Sequence, residues 1–262
     1  MREINQSLHR KIKARLFLNA VLPAFEDLLH YSERAQSIIS GRDFSLRFQT
    51  SSGLKSTLQF NNQACQFIKT RHPSSDIILH FLTEEQLNNE FENKGFRIPL
   101  PIKGASRLAD LKAFKALSAE LEACLRPIEK QLEDPTFERF HVGLQLGIAL
   151  RALVELTLHE PRSERIMADT PEGIAYFSIG AEGYGAWLEW RNGSMTAGKG
   201  PPEREADVNV SFSNAETALK AVGNRIDVMA AIGLGNIQIT GLVPLADALG
   251  YIFERIPLYI AP

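Results

Sequence analysis

Asp76-Ile-Ile-Leu-His-Phe81 and Asp207-Val-Asn-Val-Ser-Phe212 lie 131 residues apart in a chain of 262. Each sets an aspartate before a run in which apolar residues alternate, Ile77/Leu79/Phe81 in one and Val208/Val210/Phe212 in the other, the period of a strand with one buried face. Each run leads into a helix start, where Thr83-x-x-Gln86 and Ser213-x-x-Glu216 read as capping boxes. One such match is weak evidence. Two, in the same order and half a chain apart, predict an internal repeat.

Working outward, the 131-residue shift lays Ser32-Glu33-Arg34 on Ser163-Glu164-Arg165. It also lays Leu46 on Phe177 and Phe48 on Ile179. A shift of 130 lays Leu58-Gln-Phe60 on Leu188-Glu-Trp190. Both halves then show one order of elements. A helical lead comes first, over 3–39 or 138–158. Three strands follow near 44–50, 54–61 and 64–70, or near 173–180, 184–191 and 194–199. Asn61-Asn62 and Asn192-Gly193 mark a hairpin turn before the third. A fourth strand at 76–82 or 206–212 precedes a helical stretch at 84–93 or at 214–222 with its continuation to 232. A fifth strand at 97–103 or 235–240 ends at Gly104 or Gly241. An amphipathic helix closes each half, with Leu108, Leu111, Phe114, Leu117, Leu121 and Leu125 on one stripe and Leu242, Leu245, Leu249, Ile252, Phe253 and Ile256 on the other. Pro99 and Pro101 remove two donors from one edge of the first half's fifth strand, so that strand should lie at a sheet edge. The expected domains are 1–127 and 135–262, joined through the charged run Arg126–Pro135.

Composition narrows the function. The chain carries 29 Lys and Arg against 31 Asp and Glu, a net charge of -2. This excludes a binder held to nucleic acid by a clustered basic surface. The charge is uneven: residues 1–130 hold 19 basic and 14 acidic groups, and 131–262 hold 10 and 17. Only four of the 18 glycines precede residue 132. Cys65 and Cys124 are too few for a disulfide scaffold or a cysteine-rich zinc site, which points to a reducing cytoplasm. The basic start and the run Leu16–Phe25 resemble a signal peptide, but Asn19, Pro23, Glu26 and Asp27 fit an amphipathic first helix better. Val142–Leu158 contains Gln145, Arg151 and Glu155 and reads as a core helix rather than a membrane span.

The search for reactive groups excludes more than it finds. The sequence holds no Gly-x-Ser-x-Gly elbow and no phosphate-binding Gly-x-x-x-x-Gly-Lys-Ser/Thr loop. Gly233-Leu-Gly235 lacks the third glycine of a dinucleotide fingerprint, with Gln238 in its place. Gly180, Gly183 and Gly185 read as a hairpin turn. His9, His30, His72, His80, His141 and His159 form no ligand pair with one another or with a cysteine. His80 is out of phase with Ile77, Leu79 and Phe81 and should face away from that core. Cys65 and Cys124 read as inert thiols, and Glu203, Glu205 and Asp207 as a solvated loop. What stands out is Ile226–Gly241, where Met229, Ala230, Ala231, Ile232 and Leu234 mix with three glycines, a composition that permits a gap instead of tight packing.

Residues 173–256 resemble the sterol carrier protein type-2 domain family. Gly173-Ile-Ala-Tyr-Phe-Ser-Ile is similar to its first strand and Trp187-Leu-Glu-Trp-Arg-Asn-Gly193 to its second strand and turn. Ala206-Asp207-Val-Asn-Val is similar to its Ala-Asp strand. Met229-Ala-Ala followed by Gly235-x-Ile-x-Ile-x-Gly241 is similar to its late signature. The first half keeps the order of elements but has Glu90-Phe-Glu-Asn-Lys-Gly95 in place of the Met-Ala-Ala stretch, as in a degenerate copy. The resemblance implies an α+β fold in which each domain has a roughly five-stranded, mainly antiparallel sheet covered by helices. It also implies an apolar tunnel that binds a sterol, fatty acid, acyl-CoA or related lipid without chemistry. The tunnel positions it implies are Phe177, Ile179, Leu188, Trp190, Val208, Val210, Phe212, Met229, Ile232, Leu245, Leu249 and Phe253. It carries over no catalytic residue, metal or cofactor, and no nucleic-acid or integral-membrane role. Two other functions stay open: an interaction or scaffold protein with a collapsed tunnel, and an enzyme or an accessory subunit of one.

Overall fold

The computed structural model describes residues 6–69, 74–92, 100–104, 106–180 and 184–260, with the backbone alone at 100 and 101. The chain divides into two compact units, Met1–Pro127 and Ile128–Pro262.

The first unit opens on α1 (Gln6–Leu16), a π-helical turn (Phe17–Val21), α2 (Ala24–Tyr31) and α3 (Glu33–Ile39). The lead is therefore not one helix. Pro23 has no N–H to give the Asn19 carbonyl, and its ring crowds that oxygen. The turn before it widens by one residue, with the Leu22 amide bonded to the Phe17 carbonyl at 3.1 Å. A second break falls at Ser32, whose hydroxyl accepts the Ala35 amide at 3.1 Å. Then come β1 (Asp43–Thr50), β2 (Lys55–Asn61), β3 (Ala64–Ile68), β4 (Ile77–Phe81), α4 (Glu84–Phe91), β5 (Leu100–Lys103) and α5 (Leu108–Leu125).

The second unit contains α6 (Glu129–Leu132), α7 (Pro135–His159), α8 (Pro161–Ala168), β6 (Gly173–Ile179), β7 (Tyr184–Arg191) and β8 (Ser194–Lys199). It continues with β9 (Val208–Phe212), α9 (Ala215–Val222), α10 (Val228–Gly233), β10 (Ile237–Gly241) and α11 (Val243–Phe253). A 3-10 turn at Ile256–Leu258 follows. The helix read over Val142–Leu158 runs from Pro135 to His159. It is long and apolar enough to cross a membrane, yet most of it is buried inside its unit, His141 and Glu155 included. The helical stretch read over 214–222 is α9 and its continuation to 232 is α10, the two separated after α9 by Gly223 and Asn224, the latter at φ +50°. The N-cap of α9 is Asn214, which accepts the Thr217 amide at 2.8 Å, and not Ser213. Asparagine caps as well as serine does, so the motif alone could not choose between neighbours.

The sheets run β3-β2-β1-β4-β5 and β8-β7-β6-β9-β10, the same order in both units. The expectation of mainly antiparallel sheets needs one correction: both are mixed. β1–β4 and β6–β9 are parallel, and the other pairings are antiparallel. A parallel neighbour requires a crossover, supplied here by the hairpin that leaves β1 or β6 before the chain returns. β5 lies at a sheet edge, as its prolines predict, and β10 holds the same edge in its own sheet. Asn93 to Pro99 lie outside the described residues.

Register corrects the sequence alignment of the first strands. Leu46 pairs with Leu58 and Ile77, while Ala175 pairs with Leu188 and Val208. Leu46 thus takes the place of Ala175, and Phe48 that of Phe177. The 131-residue shift had displaced this strand by two residues. A slip of two leaves every side chain on its own face, so alternation could not reveal it.

One arrangement fixes that register in both units. The Asp207 carboxylate accepts the Ile174 amide at 2.7 Å, and the Asp76 carboxylate accepts the Ser45 amide and hydroxyl at 2.8 Å each. Ser45 and Ile174 are equivalent by register. The main-chain carbonyls of the same aspartates lie against Gly104 and Gly241, at φ +84° and +98°. A Cβ there would fall 2.6 Å from the Asp76 carbonyl and 2.2 Å from that of Asp207, which also accepts the Leu242 amide at 2.8 Å. Asp207 is therefore a brace and not one of three solvated loop carboxylates.

A second tie lies in the second unit. Glu160, buried between α7 and α8, accepts the Ser163 amide at 2.9 Å, the Ser163 hydroxyl at 2.6 Å and Arg255 Nε at 2.9 Å. Arg255 Nη2 and the Tyr259 hydroxyl complete the set, fastening the segment after α11 to the α7–α8 corner. Burial pushes the Glu160 carboxyl up, but the bonds from Arg255 and Ser163 outweigh it and hold the group below its ordinary 4.5.

Two outcomes follow from these ties. Gly241→Ala should destabilise the second unit by about 2 kcal/mol or more, through both strain and overlap. Gly233→Ala, with no heavy atom near its added carbon, should change little; denaturant unfolding of both variants reads the contrast. Because the folded carboxyl of Glu160 is depressed, its contribution is present above about 4.5 and fades as pH falls through the lower folded value. Glu160→Gln should cost about 3 kcal/mol at pH 7 and flatten the acid limb of the stability curve, measured by unfolding from pH 7 to 3.

Candidate functional site

The inner face of the second sheet is built in rows. Pairing sets Leu188, Ala175 and Val208 side by side, then Ala186, Phe177 and Val210, then Tyr184, Ile179 and Phe212. Phe177, Ile179, Leu188, Trp190, Val208, Val210 and Phe212 are all buried. α11 packs against β6, β9, β10 and α7, burying Leu245 and Leu249. Phe253, one turn further on, is half-buried and meets the Phe177 ring edge-on at 5.6 Å. These ten sequence-derived positions lie on one sheet face or on the helix that packs against that sheet.

The other two lie on α10 and behave differently. Met229 is 76% exposed, with Val228 and Leu234 exposed beside it. Ile232 is half-buried, and Ala231 is the buried residue of this helix. α10 is a short segment, capped by Asp227 through the Ala230 amide at 3.0 Å and followed by Gly235 at φ +74°. Met229 therefore faces outward, where the sequence had put it against the core. The small and adaptable residues of Ile226–Gly241 make a lightly held helix at the surface.

Sequence reasoning also missed residues. α7 packs on β7 and β8 and buries Leu146, Leu150, Leu153 and Leu156, so it closes the face from the other side. Its apolar run was the signal. Ala175 and Ala186 were overlooked because alanine carries little pattern weight, yet they fix how much side chain fills each row. Glu160 and Arg255 are 95 residues apart, and no local signal joins them.

The first unit fills the same place with rings. Phe17, Phe25, Phe44, Phe48, Phe60, Phe91 and Phe114 form one connected network, with centroid separations of 4.6 to 6.3 Å. At register-equivalent positions it has Leu46, Ile77 and Leu79, where the second unit has Ala175, Val208 and Val210. Of the polar stretch from Glu90, the described part ends at Glu92: Glu90 is exposed, Glu92 pairs with Lys13 at 2.6 Å, and Phe91 between the two glutamates stacks on Phe17. Phe91, not its charged neighbours, is what closes the space.

Other candidates resolve simply. The ring nitrogens of His80 lie 3.3 Å from Gln49 and 3.0 Å from Ser51, away from the core, as the alternation predicts. Neither cysteine is in a disulfide; burial pushes the Cys124 thiol up to about 11 and raises that of Cys65 as well. Among the described residues no group of three or more His, Cys, Asp or Glu is placed to hold a metal.

No protein-family model matches the chain, and no curated protein matches it. Solved structures of sterol carrier protein 2 domains resemble part of it. Sterol carrier protein 2 from Yarrowia lipolytica in its apo form is 19% identical, over 43% of this chain and 91% of that one, with a TM-score of 0.34. Palmitated SCP2L2 from Aedes aegypti is 21% identical over 38% and 93%, with a TM-score of 0.27. A UbiJ-SCP2 ubiquinone synthesis protein is 14% identical over 39% and 86%, with a TM-score of 0.33. The match to each spans about two-fifths of this chain.

Proposed function

We propose that the chain is a tandem pair of sterol-carrier-like domains in which the second unit binds one long apolar ligand without chemical reaction, and possesses an apolar tunnel for it. The observation that carries this reading is the unequal filling of the two cores. Leu46, Ile77 and Leu79 in one sheet become Ala175, Val208 and Val210 in the other, and Phe44 becomes Gly173, while Phe48 and Phe60 of the first unit's ring network keep aromatic equivalents in Phe177 and Trp190. Space is cheaper to open where side chains are smaller and fewer contacts are lost.

The entrance in this reading is α10. It buries little, exposes Val228, Met229 and Leu234, and holds Ile232 at the boundary between surface and core. Sterols, fatty acids and acyl-CoA thioesters all fit such a site in kind. About 10 methylenes buried at ~0.8 kcal/mol each give about 8 kcal/mol, near micromolar affinity before ordering costs. Transfer between membranes and a cytoplasmic setting extend the same reading, and two cysteines outside any disulfide accord with the latter. The first unit, tightly filled, serves structure or partner contact.

Ile232→Asp tests the assignment. A carboxylate at the entrance of an apolar site is costly to desolvate, so the variant should bind a fluorescent fatty acid at least about tenfold more weakly. Circular dichroism confirms that it is folded. Unchanged saturable binding by a folded Ile232→Asp chain would place the ligand elsewhere.

A further inference from the structure

The first unit contains a feature that lipid binding in the second does not use. A cleft of about 190 Å³ is lined by Arg15, Leu18, Asn19, Gly53, Leu54, Lys55 and Lys69. Three of these seven residues are cations and none is a carboxylate. They come from three places: the end of α1 with its π-helical turn, the β1–β2 hairpin tip and the residue after β3.

The π turn that Pro23 imposes puts Asn19 in this wall, and single-turn π segments recur at functional sites. Ser56, buried at the start of β2, donates its hydroxyl to Asn19 Oδ1 at 2.9 Å. That fixes the amide and leaves Nδ2 as its remaining donor. The hairpin tip is fixed too, with the Leu54 amide on Thr50 Oγ1 at 3.2 Å and the Gly53 amide on the Thr50 carbonyl at 3.1 Å. Arg15 and Lys69 each also hold another interaction within the protein. The exposed Lys55 completes the set.

We propose that this cleft is a binding site for a phosphate-bearing anion. A cleft of this size has room for one or two phosphate groups. A guanidinium, two ammonium groups and a fixed amide make a donor set suited to phosphate oxygens, the guanidinium by paired bonds and the lysines as point charges. Buried Leu18 and Leu54 give it an apolar floor that strengthens such contacts.

Inorganic pyrophosphate is the probe, titrated into the full chain by calorimetry at fixed ionic strength. The site predicts saturable one-to-one binding, weakened about tenfold by Lys55→Gln and again by Lys69→Gln, both surface changes that leave the core untouched. A parallel sedimentation assay uses phosphatidylcholine vesicles with and without phosphatidic acid. Binding to pyrophosphate alone supports a free phosphate ligand. Binding to phosphatidic acid vesicles alone, lost in the double variant, supports a lipid headgroup. No saturable binding in either arm, or equal binding by wild type and double variant, overturns the proposal. Fatty-acid binding by the second unit should be the same in wild type and double variant, so the two sites stand or fall separately.

Discussion

The aspartate before the fourth strand is the constraint on which each sheet depends. Its carboxylate holds an amide of the first strand, and its own carbonyl occupies the place a side chain would take at the glycine ending the fifth. One residue thus sets the register of the parallel pair and the approach of the edge strand. Parallel neighbours lack a tight turn to fix their alignment, so a side-chain anchor at the crossover does that work. The same aspartate and glycine make the same arrangement in two chain segments that otherwise differ in sequence.

Much of this was legible in the sequence. Asp76 and Asp207, the alternating strands after them and the glycines at 104 and 241 give the order of elements and the division into two units. Register was not legible, because a two-residue slip preserves every face. The break in the helical lead could be read from Pro23, but not the π turn that answers it, nor Asn19 placed in a cleft wall. The sheet positions of the candidate site were readable from alternation. Met229 was not, since a short helix presents apolar residues outward only where tertiary structure gives it nothing to cover. The pair Glu160–Arg255 is invisible locally, because charge alone names no partner across 95 residues.

The two units divide opposite properties. The first carries the excess of basic groups, few glycines and a core packed with rings. The second carries the acidic excess, most of the glycines, alanine and valine in its rows, and a lightly buried helix at its surface. Tight packing favours a fixed shape, and smaller side chains beside a loosely held segment favour a site that admits a guest. In this account a common frame serves two ends through what fills it.

The central claim is that the second unit holds a long apolar ligand. Native mass spectrometry of the full chain, purified from cells without denaturant, reads this directly. The expected result is a population carrying one lipid-sized adduct, released on denaturation and identifiable by its mass. Protein that is wholly free of adduct, and stays so after incubation with a fatty acid, a sterol and an acyl-CoA, would contradict it.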